Sequence, residues 1–171
     1  MRYADDFVIL ARGPDQRLRS AVEDRLERAM KLRINREKTR TVNLQAPGVH
    51  LDFLGYTFRY VKDRHGRNTR YLEMAPSRKS LARERAVLRD KTGPRRGWLP
   101  LKPMIEELNA HLRGWANYFG HGYPRAAFRE INSYVRYRLA RHLRRRSQRR
   151  YRSHKGTSLY RHLAKEGLIY L

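Results

Sequence analysis

Apolar side chains recur at helical spacing from Leu101 to Phe119, with Leu101, Ile105, Leu108, Leu112, Trp115 and Phe119 on one stripe. Pro103 falls in the first turn of that pattern, where proline is tolerated. Gly120, Gly122 and Pro124 interrupt it, and a second stripe of Phe128, Ile131, Val135, Leu139 and His142 or Leu143 predicts another helix. Earlier in the chain, Leu18, Val22, Leu26, Ala29 and Met30 predict a helix over about Asp15–Leu32, opened by the break at Gly13-Pro14-Asp15. Ser77 is placed to cap a helix running to about Asp90. Gly93, Pro94 and Gly97 mark Lys91–Gly97 as a linker, and a short last helix is predicted over Ser158–Lys165.

The strand signals are confined to the first part of the chain. Phe7-Val8-Ile9-Leu10 is a short strand-forming run, and further pieces fall at Thr41–Leu44 and Asp52–Tyr60. A polar turn over Asp63–Asn68 leads back into Tyr71-Leu72-Glu73-Met74, which predicts a hairpin. The fold class is therefore α+β, mixed at the start and all-helical after a boundary near Pro76. Residues 1–75 are expected to be the looser half, because their sheet is short of partner strands. No internal repeat is evident.

Composition narrows the function. Lys and Arg total 40 against 16 acidic residues, a formal charge of +24 on 171 residues. With 40% apolar residues the chain can build a core, so the excess charge calls for a polyanionic partner. A solvated basic face or a membrane-surface binder would carry similar charge, but aromatics interleaved with arginines favour nucleic acid. The concentration is greatest from Pro124 to Lys155, with 12 Lys or Arg against the single acid Glu130. Arg144, Arg145, Arg146, Arg149 and Arg150 are candidate phosphate contacts there. There is no cysteine, which excludes disulfides, Cys-ligated zinc and thiol nucleophiles. No apolar run approaches the roughly 20 residues of a membrane span, and the start has no leader pattern, so a cytoplasmic protein is expected.

The sharpest chemical feature is Asp5-Asp6, set between Tyr3-Ala4 and Phe7-Val8-Ile9-Leu10. Adjacent acids on a regular strand point to opposite faces, but at a tight turn both reach one site. Two close carboxylates repel, and a divalent cation relieves that repulsion. Hard oxygen ligands suit Mg2+ and phosphoryl transfer, although a solvated Asp-Asp turn is also common.

Four motifs in order resemble those of group II intron reverse transcriptases. Tyr3-Ala4-Asp5-Asp6 resembles the active-site motif, and Leu32-Arg33-Ile34-Asn35-Arg36-Glu37-Lys38-Thr39 the palm motif that follows it. Phe53-Leu54-Gly55-Tyr56-Thr57-Phe58 is similar to the primer grip, and the segment from Leu108 to Phe119 to the thumb and maturase-specific region.

The resemblance implies a partial polymerase palm over 1–75 and a helical thumb and maturase-specific RNA-binding region over 76–171. It implies catalytic metal ligation by Asp5 and Asp6, with Mg2+ in a two-metal site incomplete in this chain. Lys38 would lie near the triphosphate, although on composition alone it reads as a surface lysine. Tyr3, Ala4, Phe53, Leu54 and Gly55 would contact nucleotide and primer, and Asn109, Arg113 and Asn117 the RNA. Trp115, Tyr118 and Phe119 read as core. The implied partners are RNA, primer DNA and a separate half carrying the fingers and the rest of the palm. The alternative is a stand-alone basic maturase-like module that binds RNA without polymerase activity.

Overall fold

A computed structural model describes the chain except residues 1, 4, 5, 14, 15, 64–68 and 147–155, and gives backbone alone for Arg2, Tyr3 and Asp6. It is mixed α and β, as the periodicities require, and it divides into two compact units, Met1–His50 and Leu51–Leu171.

In the first unit β1 (Arg2–Tyr3) pairs antiparallel with β2 (Asp6–Phe7), with Tyr3 opposite Asp6. Helix α1 (Gln16–Asp24) continues as a π-turn over Arg25–Ala29. The helix expected to reach Leu32 ends there because Lys31 takes a φ of 52°, which breaks the helical path. Thr41–Leu44, expected as a strand, is loop and turn. None of the described residues of this unit is buried.

The second unit opens with a three-stranded sheet in the order β3 (His50–Phe53), β4 (Tyr56–Lys62), β5 (Arg70–Pro76). Strands β4 and β5 form the expected antiparallel hairpin, from Tyr56 opposite Pro76 to Lys62 opposite Arg70. The single strand expected over Asp52–Tyr60 is instead two. Leu54 and Gly55 turn the chain with φ of 50° and 81°, the double positive pair that suits a two-residue hairpin loop.

That turn is why the unit boundary lies ahead of the sheet and not at Pro76. The Gly55 carbonyl accepts from Ser77 N at 2.8 Å and from Ser80 Oγ at 2.8 Å, at the start of α2 (Arg78–Lys91). Tyr118 Oη donates to the Leu54 carbonyl at 2.9 Å, and Tyr56 Oη donates to the Tyr118 carbonyl. A Cβ on Gly55 would lie 2.9 Å from Ser80 Oγ and 3.2 Å from Phe119 Cζ, so only glycine lets the turn seat against α2 and against α3 (Leu101–Phe119). At the far end of α3, Tyr123 N donates to the Met74 carbonyl at 2.8 Å.

Ser77 caps α2, its Oγ accepting from Ser80 N at 3.1 Å. The predicted linker holds a 3-10 turn at Pro94–Arg96 and leads to α3 (Leu101–Phe119). Helices α4 (Arg125–Arg145) and α5 (Leu159–Lys165) follow, α5 capped by Ser158. From the predicted stripes, Ile105, Leu108 and Leu112 of α3 and Ile131, Val135 and Leu139 of α4 enter the core, joined by Leu88 of α2 and Met104 of α3. Leu163 and Leu168 close it. Among the described residues no helix is long and apolar enough to cross a membrane.

Candidate RNA-binding surface

Helix α4 sorts its arginines by position. Those off the apolar stripe, Arg125, Arg129, Arg141, Arg144, Arg145 and Arg146, are exposed. Glu130, the acid among them, is engaged by Arg85 of α2. The outward face of α4 is therefore a row of cations whose nearest carboxylate in sequence is already paired, which is the electrostatic form of a phosphate-binding ridge.

Arg138 does something else. It is 6% exposed and turns inward to the end of α2, where its guanidinium donates to Thr92 Oγ1 at 3.0 Å and to the Arg89 carbonyl at 3.1 Å. A cation on the last carbonyls of a helix satisfies orphan acceptors and complements the negative end of the helix dipole. One arginine of the basic run is thus a cap for α2.

The neighbouring His142 is buried, and its Nε2 has no hydrogen-bond partner among the described residues. Burial, reinforced by Arg146 and Arg145, pushes its pKa below the ordinary histidine value. A second buried titratable group, Glu84, faces His111, whose Nε2 lies 2.9 Å from both carboxylate oxygens. Burial raises the Glu84 pKa, and the His111 hydrogen bond opposes the rise.

The other RNA candidates divide. Arg113 and Asn117, one helical turn apart on α3, are exposed. Asn109 is not on their face, which corrects the sequence-based placement. It is 6% exposed, donating to the Gly167 carbonyl at 2.7 Å and accepting from Ile169 N at 3.0 Å. Arg144–Arg146 lie at the far end of the 21-residue α4, about 30 Å along the helix at ~1.5 Å per residue from the turn that joins it to α3. Arg149 and Arg150 lie outside the described residues.

The candidates of the first unit are only partly described. Ala4 and Asp5 lie outside the described residues, and for Tyr3 and Asp6 the backbone pairing is what is described. Lys38 is exposed in a turn held by Asn35, whose Oδ1 accepts from Lys38 N at 3.2 Å. Phe53, Leu54 and Gly55 are half-buried in the β3–β4 turn, which packs on α2 and α3. Of the residues read as core, Phe119 is buried and Trp115 packs against the core, whereas Tyr118 is half exposed and binds Leu54 through its hydroxyl.

Among the described residues no group of three or more His, Asp and Glu side chains is placed to hold a metal ion. A search of curated proteins finds no match. The family model of the group II intron maturase-specific domain matches residues 82–161, from the first turns of α2 into α5. That domain implies a maturase role in intron splicing and binding of intron RNA. In this segment, which contains the arginine ridge of α4, the chain is similar to the C-terminal region of group II intron maturases and reverse transcriptases.

Proposed function

We propose that the helical unit grips folded intron RNA by its phosphates, with Arg144, Arg145 and Arg146 as the main contacts and Arg113 and Asn117 as a second group. The observation that carries this is the row of exposed arginines on α4 inside the matched maturase segment. Binding at both groups would hold two parts of the RNA in register, which is how a basic protein aids RNA folding. The test is splicing of a group II intron transcript at low magnesium. Addition of the chain lowers the magnesium requirement, and the Arg144→Ala/Arg145→Ala/Arg146→Ala variant loses that effect. An unchanged requirement contradicts the proposal.

The finer reading is that the chain serves an RNA-directed DNA polymerase, with residues 1–75 as palm and the helices as thumb. Asp5 and Asp6 would bind Mg2+, Tyr3, Ala4 and the Phe53-Leu54-Gly55 turn would contact nucleotide and primer DNA, and Lys38 would lie at the triphosphate. Two observations support it. Tyr3 and Asp6 sit opposite one another on paired strands, and Phe7, Ile9, Leu10, Leu18, Met30 and Leu32 expose apolar surface that further palm structure could cover. Primer extension on an RNA template, with the fingers and remaining palm supplied, decides it. Asp5→Asn or Asp6→Asn should cost orders of magnitude in rate and leave RNA binding intact. Full activity of both variants removes the catalytic assignment.

A further inference from the structure

Trp98 is 74% exposed, more than any other large hydrophobic side chain among the described residues. Tryptophan is seldom left so open, because its apolar area favours burial. Its ring has no aromatic neighbour and its indole N–H no hydrogen bond among the described residues. The backbone that carries it is tied on both sides. Arg96 N donates to the Gly93 carbonyl at 3.1 Å, Gly97 N to the Pro94 carbonyl at 3.0 Å and Leu99 N to the Arg96 carbonyl at 3.0 Å. Leu99 packs on the core, and Arg96 is paired with Glu107 of α3. The indole therefore stands in water on a fixed turn, already organised for a partner.

The surroundings say which partner. Arg95 and Lys102 are exposed and have no ion pair among the described residues. Glu107 is engaged by Arg96 and by Lys91, at 3.6 Å from the latter. An open indole with exposed, unpaired cations three residues before it and four after it in the chain matches one nucleotide unit: an aromatic base and the phosphates on either side of it. A base in a continuous duplex keeps its faces stacked on its neighbours, so the fit is to an unpaired base in a loop or bulge.

We propose that Trp98 stacks on an unpaired nucleobase of the RNA, with Arg95 and Lys102 at the flanking phosphates. This rests on the RNA-binding reading above and adds a second kind of contact to it, one that distinguishes loops from helices.

The test uses the full chain with two RNA probes of equal length, a hairpin whose loop carries 2-aminopurine and a blunt duplex. Trp98→Ala should weaken hairpin binding about tenfold, the loss of one base stack, and leave duplex binding unchanged. Trp98→Phe should recover most of the loss, and 2-aminopurine emission should be quenched by the native chain and not by the Ala variant. Equal losses on both probes, or none on either, overturn the proposal, as does a Trp98→Phe variant that folds and binds no better than Trp98→Ala. If the native chain binds neither probe, the RNA-binding reading itself fails. Binding of both with no preference that depends on Trp98 defeats only this inference.

Discussion

Asn109 and Asn132 each spend both ends of an amide on the C-terminal backbone. Asn109 takes Gly167 and Ile169, while Asn132 donates to the Leu171 carbonyl at 2.9 Å and accepts from Leu171 N at 3.0 Å. Replacing Asn109 by Ala removes both hydrogen bonds, to the Gly167 carbonyl and from Ile169 N, and at roughly 0.5–1.5 kcal/mol each should cost about 1–3 kcal/mol in urea unfolding. Asn109→Asp should not rescue it, because a carboxylate cannot donate to Gly167. Nothing local in the sequence announces this role. The partners lie far along the chain, and an asparagine beside an apolar stripe looks the same whether it faces water or a returning segment of backbone. Trp98 is the converse, since a tryptophan in a sequence reads as core until its surroundings are known. His142 gives a pH signature at the same scale. Its folded pKa lies below the ordinary 6.5, so in acid the unfolded chain binds the proton more readily, and stability falls as pH drops from about 6.5 toward the folded value. Glu84, with its raised pKa, acts in the opposite sense above 4.5, stabilising the fold as pH falls through its folded value. The difference between the native chain and His142→Phe isolates the histidine: thermal melts from pH 7 to 5 should show a smaller drop for the variant. Parallel drops contradict the burial argument.

At the scale of elements, the helices were legible because a stripe and a cap are local patterns. Ser77 and most of the apolar positions predicted for α3 and α4 act where the sequence indicates, and Ser158, read as the start of the last helix, proves to be its cap. The sheet was legible as a hairpin but not in its docking, because that depends on two turns whose demands are three-dimensional. Gly122, at a φ of 73°, would place a Cβ 2.4 Å from the Met74 carbonyl oxygen and 2.9 Å from its Cβ. Backbone cannot yield as a side-chain tip does, so Gly122→Ala should destabilise by about 2–4 kcal/mol in chemical unfolding. Loss below about 0.5 kcal/mol would show that the β5–α4 approach is not tight. The basic run of α4 likewise concealed two roles under one residue type. Arg138→Ala should lower the melting temperature by uncapping α2 while leaving the salt dependence of RNA binding unchanged, since its guanidinium is buried against the end of α2. A changed salt dependence would place Arg138 on the phosphate surface.

For the whole molecule, charge and core answer different questions. The apolar stripes account for one compact unit from Leu51 to Leu171, and the +24 charge of the whole chain favours a polyanionic partner. The change of character at Pro76 did not mark the unit boundary, because the β3–β5 sheet seats on the helices through Gly55 and Tyr118. The central claim is that exposed arginines of α4 hold RNA by its phosphates. The measurement that meets it most directly is the slope of log affinity against log salt for a structured intron RNA. If about six phosphates are neutralised, affinity should fall about a thousandfold between about 50 and 200 mM salt, and the Arg144→Ala/Arg145→Ala/Arg146→Ala variant should lose about three from the magnitude of the slope. A flat slope for the native chain, or an unchanged slope in the variant, contradicts it.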